Sequence, residues 1–100
     1  MINGKTISLA GEDFVLPPLN IASLKKHQVF FEALRDGKVQ TNFVVMSEII
    51  LESIQRNYPD MIQARLDELL DIGNIASAFQ AAMSVSGFEA ASGEAPPGNP

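Results

Sequence analysis

The sequence predicts a small, mainly α domain: four helices, an N-terminal β-hairpin and a flexible C-terminal tail. Three observations lead there. Apolar residues recur at helical spacing through most of the chain after residue 20. The segment before it alternates apolar and polar residues, the period of a half-buried strand. The last twelve residues, "EAASGEAPPGNP", are small, polar and rich in Pro and Gly. They offer too little apolar surface to offset the entropy of ordering them. One hundred residues suit one domain. The predicted layout is therefore a helical domain over 1–88 and a tail over 89–100.

The elements follow in order. "KTISL" places Ile7 and Leu9 on one face, and "DFVLP" carries Phe14 and Leu16. The "AGE" between them supplies a Gly able to take positive φ, so the pair reads as a hairpin. A lone hairpin is marginal and must lie on something apolar. Pro17 and Pro18 end it, since Pro cannot donate to a ladder. Asn20 is a suitable N-cap for helix 1, Ile21 to Asp36. Its stripe is Ile21, Leu24, Phe31 and Leu34, widened by Phe30. Gly37 stops it.

Thr41 or Asn42 caps helix 2, "FVVMSEIILESIQRN". Its apolar positions cover more than one face, which predicts the central, most buried element. The β-branched residues of "FVVM" favour strand locally and oppose that assignment. Pro59 keeps Tyr58 out of helical geometry, so helix 2 ends near Asn57. Asp60 opens helix 3 as cap or dipole partner. Its predicted stripe is Ile62, Leu66, Leu69 and Leu70, with Asp67, Glu68 and Asp71 facing away. Gly73 and Asn74 break it, and Asn74 caps helix 4, "IASAFQAAMSVS", which Gly87 ends.

Composition narrows function mostly by exclusion. There is no Cys, which removes disulfides and thiol chemistry and fits a reducing cytoplasm. The N-terminus has no apolar run of signal-peptide length, and no window reaches the roughly 18–20 apolar residues that span a bilayer. The net charge is −5. Seven basic and seven acidic residues cancel up to Arg65, so the whole excess lies in the last 35 residues. That half repels phosphate backbones and anionic membranes.

No constellation of side chains points to catalysis. His27 is the only His, and Glu32, five positions on, does not share its face. Without a carboxylate partner it reads as a surface histidine. Asp67 and Asp71 share a helix face, yet their spacing is not that of a hard-cation loop, so a solvated acidic face is expected. Helix 3, "DIGN" and helix 4 have the outline of a helix-turn-helix. Helix 4 offers Gln80 and no basic residue, which argues against DNA reading. There is no Gly-rich phosphate loop and no GxSxG or HExxH motif. No cofactor, metal or enzymatic activity is expected.

The sharpest feature is helix 4, which carries no charged residue, with Phe88 just beyond it. One reading is that it closes the core, as helices apolar all round do. The other is a partner-binding face built on Phe79, Met83, Val85 and Phe88, since Met and Phe suit adaptable recognition of apolar segments.

The order of parts also resembles a known family. The hairpin and first helix "KTISLAGEDFVLPPLNIASLKK", the central helix ending in "RNYPD", then "LDELLDIGNIASAFQAAMSVSGF" and a Pro/Gly tail are similar to the small tail assembly chaperones of long-tailed bacteriophages and prophages. The resemblance runs from Lys5 to Phe88. It implies a non-enzymatic protein of the host bacterial cytoplasm, absent from the mature virion. It implies binding to the tape measure protein, whose apolar helical segments are kept soluble while tail tube protein assembles. It also implies that a longer form can arise by translational frameshifting near the end of the reading frame, with the tail as the joint. No functional residue of the family carries over to a position here. The competing expectation is a small regulator that dimerises through helix 4 and acts on another protein.

Overall fold

A computed structural model of the chain describes residues 1–38 and 42–88. The expected flexible tail at 89–100, and Thr41 as a cap, lie outside the described residues. The architecture is mainly α: a two-stranded antiparallel hairpin followed by five helices.

The hairpin comprises β1 (Lys5–Leu9) and β2 (Glu12–Leu16), with Ile7 opposite Phe14 and Leu9 opposite Glu12. Its two-residue loop has positive φ at both positions, 52° at Ala10 and 83° at Gly11. Such a loop matches the right-handed twist of the strands. Leu9, Phe14 and Leu16 are buried, so the hairpin lies face down on the helices as the alternation requires.

Where one helix is expected over Ile21–Asp36 there are two, α1 (Ile21–Lys26) and α2 (Gln28–Arg35), joined at His27 with φ −109° and ψ 23°. Asn20 caps α1 by accepting from the Ser23 N–H at 2.9 Å. α3 (Phe43–Gln55) is capped by Asn42, which accepts from the Val45 N–H at 3.1 Å, so "FVVM" is helical. Ile49, Ile50, Ser53 and Ile54 are fully buried, while Phe43 and Val44 are exposed. The central element is thus the C-terminal half of α3 only.

α4 (Gln63–Leu69) starts later than expected. Its N-cap position is Ile62, with no side-chain capping bond, and Pro59 and Asp60 form the turn before it. Leu66 and Leu69 are buried, but Ile62 is exposed, so the stripe is shorter than predicted. Met61 takes the inward place instead, its carbonyl accepting from Gln55 Nε2 at 2.8 Å. α5 (Ile75–Val85) follows. Asn74 occupies its N-cap position but does not cap it. Its side chain turns back: Oδ1 accepts from the Asp71 N–H, and Nδ2 donates to the Leu69 carbonyl. Asp71 Oδ1 in turn accepts from the Asn74 N–H at 2.8 Å. The pair closes the α4–α5 turn. Gly37 and Gly87 terminate α2 and α5 with φ of 76° and 95°.

The "RNYPD" word at the end of α3 has a mechanical role. The outward edge of β2 has no strand partner, and side chains of this word satisfy it. The Val15 N–H donates to the Tyr58 hydroxyl at 2.9 Å, and Asn57 Nδ2 donates to the Val15 carbonyl at 3.1 Å. Asn57 also accepts from the Ile2 N–H and donates to its carbonyl. Just before it, Ser53 donates to the Pro17 carbonyl at 2.8 Å, and Arg56 donates to that of Pro18. Tyr58 meets Phe14 edge-on at 5.4 Å. One helix end therefore clasps the hairpin and the diproline strap to the core. At Gly4 a Cβ would collide with the backbone of Leu16 and Pro17, so the clasped N-terminal segment approaches too closely for any other residue.

Candidate binding groove

Two sites emerge from this packing, a polar elbow and an apolar groove. The elbow lies at His27. The sequence predicts a surface histidine, and the structure corrects this: His27 is only 7% exposed. Its partner is not Glu32 but Glu52, one helix away on α3. His27 Nε2 lies 3.1 Å from Glu52 Oε2, and Lys26 Nζ donates to the same oxygen at 2.9 Å. Glu52 Oε1 is buried without a well-formed hydrogen bond. Burial pushes the Glu52 carboxyl up, but hydrogen bonds from Lys26, Ser23 and His27 outweigh it and hold the group below its ordinary value. Lys26 is raised in return, mainly by its bond to Glu52. Turning His27 inward to this carboxylate coincides with the break between α1 and α2. Ser23, His27 and Lys26 thus converge on one carboxylate and join α1 and α2 to α3.

The elbow redirects α2. None of its residues is buried, and it reaches the rest of the protein through aromatic side chains. Phe30 meets Phe79 of α5 edge-on at 5.9 Å, and Phe31 stacks on Phe88 at 5.1 Å with 20° between the rings. Between the stand-off helix α2, the face of β1 and α5 lies an open groove of about 2000 Å³. Phe30, Phe31 and Leu34 form one wall, Ile7 and Leu9 contribute from β1, and Phe43 and Met46 from α3.

The predicted binding residues are divided by the fold. Phe79 and Met83 are 8% and 4% exposed and belong to the core cluster. They line the floor of the groove, but they are not open on the surface. Phe88 is half-buried and lines the groove as well. Val85 is half-buried and stands apart from it. A polar residue at Met83 would therefore cost core packing, and Phe88 and Phe31 are the cleaner probes. The outward face of α5 carries Ala76, Ser77 and Gln80, small or polar residues. These residues border the groove as well.

The α2 wall is the part that sequence reading missed as a site. Its signal was present in the paired Phe30 and Phe31 on a strongly amphipathic segment, but a single long helix would have buried that stripe in the core. The acidic face of α4 is solvated as expected, with Asp67 accepting from Gln63 and Asp71 engaged in its turn. Among the described residues, no group of three His, Asp or Glu side chains is placed to hold a metal ion. No helix of the described residues is long and apolar enough to cross a membrane. Compared with protein-family profiles, curated proteins and solved structures, the chain matches none.

Proposed function

We propose that the protein is a tail assembly chaperone of a long-tailed phage or prophage, holding apolar helical segments of the tape measure protein while tail tube protein assembles. The observation that carries the reading is the apolar groove of about 2000 Å³ under α2. An amphipathic helix laid into a hydrophobic groove is a recurrent recognition mode. Phe and Met on its walls adapt to varied apolar partners. The order of sequence words that resembles the chaperone family supplies the biological setting. On this reading the protein acts in the host bacterial cytoplasm and is left out of the finished virion.

The reading is tested by the DNA around the gene. A slippery heptamer near the stop codon, an overlapping second frame and then a very long gene encoding apolar helical repeats are expected. Segments of that long product should co-purify with this chain and precipitate without it. Placement away from any virion gene would sink the proposal.

A further inference from the structure

The chain carries a net charge of −5, yet its groove does not share that sign. Among the described residues, the charged ones lining it are Lys5, Lys25 and Arg35 against Glu32, a local balance of +2. Lys5 comes from β1, Lys25 from α1 and Arg35 from α2, so the cations flank the groove from three elements. The carboxylates Asp67 and Glu68 of α4, and Asp71 of the turn after it, do not line it. Lys26, the neighbour of Lys25, is engaged by Glu52 outside the groove, and Arg35 has only an exposed contact of 3.5 Å with Asp36. Complementary charge at the edge of a binding surface selects partners and speeds encounter.

We infer that the groove selects an amphipathic helix whose apolar stripe is flanked by Asp and Glu. The apolar stripe would meet Phe31, Leu34 and Met46, and the flanking carboxylates would meet Lys5, Lys25 and Arg35. This rests on the groove being the binding site proposed above, and adds which helices it takes. A basic amphipathic helix of equal apolarity is repelled at the rim while being drawn to the acidic remainder of the surface, so it binds elsewhere and weakly.

The test uses the full chain and two capped model peptides of about fifteen residues. They share one Phe/Leu stripe and differ only in carrying Glu or Lys beside it. Affinity is read by fluorescence anisotropy at low and high salt. The acidic peptide is expected to bind about tenfold more tightly than the basic one, as two or three exposed ion pairs allow. That preference should collapse at high salt, where exposed charges are screened. Reversing Lys5→Glu and Lys25→Glu together should invert it. Both lysines are exposed, so the fold should persist, and Lys5→Gln with Lys25→Gln serves as the milder pair. Equal binding of both peptides, or a preference unmoved by either pair of substitutions, overturns this inference and leaves the groove proposal standing. Binding of neither peptide overturns both. A chain that sediments as a dimer, with Phe31 and Phe88 buried between copies, also overturns it, since the groove's occupant is then its own kind.

Discussion

Replacing Tyr58 with Phe isolates the clasp that holds the hairpin. The substitution keeps the edge contact with Phe14 at 5.4 Å and removes only the hydroxyl that accepts from the Val15 N–H at 2.9 Å. Nothing else on β2's outer edge replaces that acceptor, because Asn57 serves the neighbouring carbonyl. A part-buried hydrogen bond contributes about 1 kcal/mol, and stranding the donor raises the cost toward 2 kcal/mol. For a domain of this size, 1 kcal/mol corresponds to roughly 4–8 °C in Tm. Tyr58→Phe should therefore lower Tm by about 4–16 °C by calorimetry. The urea m-value should be unchanged, since the surface exposed on unfolding is the same. A Tm within about 2 °C of the parent would refute the clasp, because it would mean that water or the ring alone satisfies this edge.

Two further outcomes follow from local geometry. Glu52 is held below its ordinary value of 4.5, so its ionised form stabilises the fold above that pH and the contribution fades as pH falls through the lower folded value. Glu52→Gln should thus lower Tm near neutral pH, with the gap from the parent narrowing below about pH 4.5; a gap that is constant with pH would contradict the elbow. Ala10 holds a left-handed φ of 52°, where Asn is better tolerated. Ala10→Asn should raise stability by roughly 0.5–1 kcal/mol in urea titration, and a loss would mean that the loop is not a strained pair of positive-φ residues.

Much of the fold was legible because local chemistry dictates it. Asn20 and Asn42 cap helices whose first turns leave N–H groups unpaired, and Gly37 and Gly87 take the positive φ that ends helices. The alternation of Ile7, Leu9, Phe14 and Leu16 fixed both hairpin and face. What escaped was set by distant partners. No Gly or Pro marks the break at His27, and the carboxylate it turns toward lies 25 residues away on α3. Asn74 looked like a cap and instead serves the Asp71 turn, because both uses need the same side-chain oxygen. Phe79 and Met83 looked equally fit for core and for binding, since burial and recognition select the same apolar side chains. Only packing revealed that they floor a groove whose reachable wall is α2. The role of "RNYPD" was similarly hidden. The word's polar residues act on backbone groups of residues 2, 15 and 18, contacts that no spacing along the chain could announce.

The central claim is that the groove under α2 receives an apolar helix. The most direct measurement is chemical-shift mapping of the labelled full chain during titration with a tape measure segment. The account predicts shifts concentrated at Leu24, Phe31, Leu34, Met46 and Phe88, abolished by Phe31→Asp in a variant that still folds. Shifts confined to the α4 face around Asp67 and Glu68, or binding untouched by Phe31→Asp, would contradict it.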